Sequence, residues 1–276
     1  MRKNRLFYLV ALLAAMTVVL SACGSQSAKK SGEAAEKVDF SGYANPDIFI
    51  TPQELSELLE DPNVIIFDDN KPDAYAKGHI PGAINTGFHS FSKVEGKPGD
   101  ALWGTTLDKE ELTKKLESYG VTNDKTIVFY SDVLSGPGPD GRNVWQMRMA
   151  GLDNVKLLYG GLQQWKDLGY ETTKEETSAP KPSTGLALQD FDESYRADKD
   201  YVYENLGKTT IIDVRTEKEF KGSQNAGEAR GGHIKGAKHL VWSELLNEDA
   251  TPKSPDEIKK IMAEVGVKPE DDFVVY

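Results

Sequence analysis

Apolar positions along the chain fall into two patterns: continuous blocks of four or five residues, and stripes spaced three or four apart. Val64-Ile65-Ile66-Phe67 and Thr126-Ile127-Val128-Phe129-Tyr130 are continuous blocks, as expected of parallel strands buried on both faces. Ahead of the first, Leu55, Leu58 and Leu59 form a helical stripe. It opens at Thr51-Pro52-Gln53-Glu54, where Thr caps, Pro takes the first position and Glu completes a capping box. Asp61-Pro62-Asn63 ends this helix, and Asp68 and Asp69 stand at the carboxyl end of the strand. Gly78-His79-Ile80-Pro81-Gly82-Ala83 and a long polar stretch follow. A helix from about Asp108 to Tyr119 then precedes the second strand.

The same order recurs. Thr209-Thr210-Ile211-Ile212 leads to Asp213-Val214-Arg215, and Gly232-His233-Ile234-Lys235-Gly236-Ala237 repeats the glycine–histidine segment. Ser254-Pro255-Asp256-Glu257 opens a second capped helix, and Phe273-Val274-Val275-Tyr276 reads as a strand. Residues 112–130 align without a gap on residues 258–276, sharing Lys, Gly-Val and the terminal Val-x-Tyr. Residues 171–186 between the copies are rich in Pro, Ser, Thr and Glu, the composition of a linker. Alternating strands and helices predict an α/β chain with two tandem domains, each a mostly parallel sheet with helices on both faces. Sites in such sheets lie beyond the carboxyl ends of strands, so chemistry is expected just after Tyr130 and Tyr276.

Composition narrows the partners. The 276 residues carry 33 Lys and Arg against 44 Asp and Glu, a net charge of −11, which argues against nucleic acid. One cysteine rules out a disulfide within the chain and a multi-cysteine zinc site. His79, His89, His233 and His239 lack the spacing of metal ligands, so neither metal nor cofactor is expected.

The cysteine has its own context. Arg2, Lys3 and Arg5 precede an apolar run over residues 6–20, too short to span a bilayer but suited to a signal peptide. The run ends in Leu20-Ser21-Ala22-Cys23-Gly24, which resembles the lipobox of bacterial lipoproteins. Lipidated Cys23 would hold the protein on the extracytoplasmic side of the cell membrane, and it could not then serve as a nucleophile. The expected organisation is a signal peptide over 1–22, a tether over 23–45, a first domain over 46–170, a linker over 171–188 and a second domain over 189–276.

Further residues carry a family likeness. Asp213 and Arg215 stand before Arg230-Gly231-Gly232-His233-Ile234-Lys235-Gly236-Ala237, with Asp68 and the first glycine–histidine segment as their counterparts. Arg142, Trp145, Arg148, Gly151 and Val155 lead to Leu158-Tyr159-Gly160-Gly161, then Trp165 and Gly169. This set resembles the rhodanese family, over about 47–170 and 190–276. The resemblance implies sulfane-sulfur transfer from a small anionic donor such as thiosulfate, through a cysteine persulfide, to a thiol or cyanide acceptor. A cradle of backbone amides at a helix start would lower the thiol pKa.

In two-domain relatives the cysteine sits in the second domain, just after the strand ending in Val-x-Tyr. Here the sequence stops at Tyr276, so the second domain is expected to be incomplete and the cysteine to follow. The first copy has Ser131 at that point, in a loop rich in Pro and Gly, as in a non-catalytic domain. Arg230, Arg215, Asp213, His233, Asp68 and His79 are the candidate substrate-binding residues, with a structural ion pair the main expectation for Arg215 and packing that for Asp68 and His79. The family often has an arginine four residues after Arg215 for the donor anion, and this chain has Glu219. A non-catalytic binding or scaffold lipoprotein is the competing expectation; a phosphatase on the related fold is a more distant one.

Overall fold

The computed structural model describes residues 38–100, 102–224, 227 and 229–276, so the expected signal peptide, Cys23 and most of the expected tether lie outside the described residues. In chain order the first half contains β1 (Phe49–Ile50), α1 (Pro52–Glu57), β2 (Val64–Asp68), α2 (Pro72–Tyr75), β3 (Ile84–Asn85), β4 (Ser92–Val94) and β5 (Trp103–Thr106). It continues with α3 (Lys109–Ser118), β6 (Thr126–Tyr130), α4 (Pro139–Met149), β7 (Val155–Leu158) and α5 (Gly161–Asp167). The second half contains α6 (Lys199–Glu204), β8 (Thr210–Asp213), α7 (Glu217–Phe220), β9 (Lys238–His239), α8 (Pro255–Glu264) and β10 (Phe273–Val275).

Capping chemistry explains where the helices begin. Thr51 with Glu54 and Ser254 with Glu257 form the reciprocal boxes expected from the sequence, and Asp108 with Glu111 and Thr216 with Glu219 form two more. Glu219 is therefore committed to the start of α7.

The first-half sheet runs β1-β7-β6-β2-β3, all parallel. The twofold period of the strands divides their side chains between two cores. Ile65, Phe67, Ile127 and Phe129 face Leu112 and Leu116 of α3 and Val144 and Met147 of α4. Ile66, Val128 and Tyr130 face Leu55 of α1 and Leu162 and Trp165 of α5. Each such side chain contributes about 1.5–3 kcal/mol on leaving water, which is why helices cover both faces. The second half repeats the centre of this plan, with β10-β8-β9 standing as β6-β2-β3 do. Its core is smaller, built on Ile212, Leu240 and Val267. Among the described residues β10 pairs with β8 alone, and Phe273 and Val275 are exposed.

Two segments pack more closely than their composition suggests. Residues 171–188 run across the first half as a strap: Thr173 bridges to His79, Ser183 bonds to Glu117, and Leu186 and Leu188 join the core beside α3. Phe40 and Tyr43, at the end of the expected tether, pack with Phe49 and Tyr159.

Candidate functional site

The two repeated motifs meet at the carboxyl ends of the strands. In the first half the Tyr130 hydroxyl donates to Asp68 Oδ2 at 2.6 Å and accepts the Ile80 amide at 3.0 Å. In the second half the Ile234 amide donates to the Tyr276 hydroxyl at 2.8 Å, and the hydroxyl helps to hold the Asp213 carboxyl low. The aspartate ending one strand, the tyrosine ending its neighbour and the isoleucine of the glycine–histidine turn thus form one lock, made twice. Neither motif explains itself alone; together, in the first half, they hold the point at which the Ser131 loop begins.

The locks differ in charge. Arg215 grips Asp213 through Nε at 3.0 Å and Nη2 at 2.6 Å and also donates to the Gly232 carbonyl. Burial works against the Asp213 charge, but Arg215 and its own amide outweigh it and hold the carboxyl below its ordinary range. Asn70 replaces the arginine in the first half, and there burial dominates and pushes Asp68 up despite Tyr130 and the Asn70 amide. The same fold position holds a firm carboxylate in one half and a more readily protonated one in the other.

After Tyr130 the chain passes through Ser131 and a loop to α4. Ser131 is 2% exposed, and its carbonyl accepts the Leu162 amide at 3.0 Å, so it is sealed rather than presented as a nucleophile. The Gly160-Gly161 pair permits this approach. Gly161 has φ +56°, and a Cβ there would lie 2.5 Å from the Ser131 carbonyl oxygen. At the far end of the loop, Gly138 adopts φ +70°, and the Trp242 ring of the second half rests against it.

A cleft of about 1120 Å³ opens beside this contact, with Trp145, Tyr159, Trp242, Tyr195 and β10 through Tyr276 among its walls. Its arginines are engaged: Arg142 donates to Ser92 and to the Gly104 carbonyl, and Arg196 holds Glu193 through two bonds. An apolar, aromatic hollow at strand ends suits a small ligand or an extended side chain.

None of the six residues singled out from the sequence lines this cleft. Asp68 and Asp213 belong to the locks, and Arg215 forms the structural ion pair expected of it. His79 is buried, stacked on Tyr75, its ring nitrogens bonded to the Tyr75 and Glu175 carbonyls. His233 makes the same stack on Phe220 with Nδ1 against the Phe220 carbonyl. Arg230 is exposed on the loop ahead of it. Sequence reasoning missed the pairing of Tyr130 with Asp68, although both motifs were visible.

A family model described as Rhodanese-like domain matches residues 51–168 and 198–276. The chain is 32% identical over 250 residues to the sulfur carrier protein TtuD of Thermus thermophilus, covering 85% of this chain and 84% of that protein. It is 32% identical over 245 residues to a protein of Saccharopolyspora erythraea provisionally named thiosulfate sulfurtransferase, covering 83% and 81%. The crystal structure of SseA from Escherichia coli, titled as a 3-mercaptopyruvate sulfotransferase, superposes with a TM-score of 0.67 at 25% identity over 83% of this chain and 87% of that one. EanB shares the fold at TM-score 0.70 and 24% identity, and the chain spans 60% of its length.

Proposed function

The chain belongs to the rhodanese-like family, and from that premise we propose that it works in sulfane-sulfur transfer through a cysteine persulfide. The observation that carries the reading is the doubled lock: Tyr276, directly after β10, accepts the Ile234 amide as Tyr130, at the start of its own loop, accepts the Ile80 amide. The nucleophilic cysteine is proposed to follow Tyr276, at the position Ser131 occupies in the first half.

The chemistry follows from that position. A thiolate beyond the strand end, among backbone amides at a helix start, is stabilised as an anion and attacks the outer sulfur of the donor. With thiosulfate, the Cys S–S bond forms as the donor S–S bond breaks, and sulfite leaves with the bonding pair. Cyanide then takes the outer sulfur as thiocyanate and regenerates the thiolate. Splitting the transfer in two lowers each barrier. The first half contributes Trp145 and Tyr159 to the cleft wall rather than a nucleophile.

The test is thiocyanate production from thiosulfate and cyanide by the protein carrying its own continuation past Tyr276. Turnover that disappears when the cysteine after Tyr276 is replaced by serine is expected. A continuation without a cysteine in that loop, or no turnover with any sulfur donor, would favour the scaffold reading.

The lipobox-like Leu20-Ser21-Ala22-Cys23 supports the further proposal of a lipid anchor outside the cytoplasm. Labelling with a fatty-acid analogue should mark the wild type and not Cys23→Ala; equal labelling of both would refute it.

A further inference from the structure

A short segment ahead of β1 touches both halves of the molecule. The Asp39 carboxylate accepts the Ser41 amide at 2.9 Å, and the Phe40 carbonyl accepts the Tyr43 amide at 3.0 Å, so residues 39–43 form a turn. Toward the first half, the Phe40 ring lies 5.1 Å from that of Phe49 and 5.2 Å from that of Tyr159. Tyr43 lies 5.3 Å from Phe49, and Phe49 lies 5.9 Å from Tyr159. These are the separations at which aromatic rings attract one another, and they bind the turn to β1 and to the end of β7.

Toward the second half the contacts are a directed bond and a close fit. The Tyr43 hydroxyl donates to the Lys253 carbonyl at 2.8 Å. The Lys253 amide in turn donates to the carbonyl of Leu245, which packs on the second-half core. A Cβ on Gly42 would lie 2.9 Å from Cγ of Pro255, the first residue of α8, so this glycine leaves room for α8 to approach. Just before Lys253, the Asn247 amide donates to the Thr251 carbonyl at 2.8 Å and Asn247 Nδ2 to Thr251 Oγ1 at 3.0 Å. This second turn holds Ala250 at φ +67°, a left-handed angle that persists only where the surroundings over-determine it. It rests on the first half at Gly160, where an added Cβ would lie 3.2 Å from Thr251 Cγ2.

We propose that residues 39–43 are a clasp that fixes the angle between the two halves and, through it, the width of the aromatic cleft. Halves joined at one place move relative to each other by default. Here the first attachment is the chain connection itself: the Gln189 and Asp192 amides donate to the Ala150 and Met149 carbonyls, and Trp145 Nε1 to the Tyr195 carbonyl. The clasp supplies a second attachment from residues distant in sequence. Phe49, Tyr159, Gly160, Ala250 and Pro252 all line the cleft, and they are the residues that the clasp and the Asn247–Thr251 turn hold together.

This inference stands independently of sulfur transfer and is tested on the 276-residue chain. Spin labels on Lys114→Cys of α3 and Lys259→Cys of α8, in a Cys23→Ala background, read the distance between the halves. The parent should give one narrow distance. Phe40→Ala, Gly42→Val and Tyr43→Phe, each added to it, should broaden that distance or add a second one. Leu186→Ala weakens the first-half core without touching the clasp and should leave the distance narrow, which separates positioning from loss of stability. An unchanged distance in all three clasp variants, or equal broadening by Leu186→Ala, would overturn the proposal. Native-state hydrogen exchange needs no variant: the Tyr43 amide should be protected as the Tyr159 amide is, which donates to the Ile50 carbonyl inside the fold. Exchange of the Tyr43 amide at the rate of an unstructured chain would overturn the proposal.

Discussion

Replacing Tyr130 with Phe removes one hydroxyl and unlocks the first half at both of its bonds. The Ile80 amide loses its acceptor and Asp68 Oδ2 its donor, both in a fully buried setting. An orphaned buried group costs about 1–3 kcal/mol, and a hydrogen bond to a charged group contributes about 1.5–3 kcal/mol. Asp68 keeps the Asn70 amide and can take up a proton, so the sum falls near the lower bounds, about 3 kcal/mol. The corresponding Tyr276→Phe should cost about 1 kcal/mol, because Ile234 and Tyr276 are only partly buried and Asp213 keeps Arg215. Urea denaturation of both variants, checked by calorimetry, reads the difference; about 3 kcal/mol is a fall in Tm of about 6–12 °C. Tyr130 lowers the Asp68 pKa, so without it the carboxyl binds its proton more tightly in the fold. The Tyr130→Phe deficit should therefore shrink as pH falls. A loss of under about 0.5 kcal/mol, or a larger loss from Tyr276→Phe, would refute the lock.

Other perturbations probe separate parts of the account. Gly161→Ala should lose about 1–3 kcal/mol from left-handed backbone alone, with the clash against the Ser131 carbonyl added, as read by denaturant midpoint; an unchanged midpoint would contradict the close approach. Leu186→Ala should cost about 2–5 kcal/mol in the same assay if the strap belongs to the first-half core, and near zero if residues 171–188 are only a tether. Arg215→Met leaves Asp213 buried without its partner and should cost about 3–5 kcal/mol at neutral pH. Because the pair depresses the Asp213 pKa, its contribution is present above the ordinary aspartate range and is lost in acid. The gap to wild type should close as pH falls, and a constant gap would assign the effect to packing.

Local chemistry was the legible part of the sequence. The boxes at Thr51 and Ser254 and the blocks at residues 64–67 and 126–130 announce themselves because cap and period are properties of a few adjacent residues. The polar stretch after Ala83 hid β3 and the antiparallel pair β4 and β5, whose short strands carry Lys, Gly and Thr and have no apolar run. β1 is two residues long and owes its existence to β7. The strap was read as a linker because its composition is polar, while Leu186 and Leu188 are anchors too sparse to make a pattern. At the site, the glycine–histidine and Val-x-Tyr motifs were visible as repeats. Their bond to each other spans residues 80 and 130, a pairing that only the sheet register creates.

The central proposal is that a cysteine following Tyr276 carries the sulfur. Intact-mass measurement of the protein with its own continuation, incubated with thiosulfate or 3-mercaptopyruvate, tests this most directly. The account predicts a gain of one sulfur atom on the proposed cysteine after Tyr276, removed by cyanide. A full-length protein that remains at its unmodified mass with every donor, or that carries the sulfur elsewhere, would contradict it.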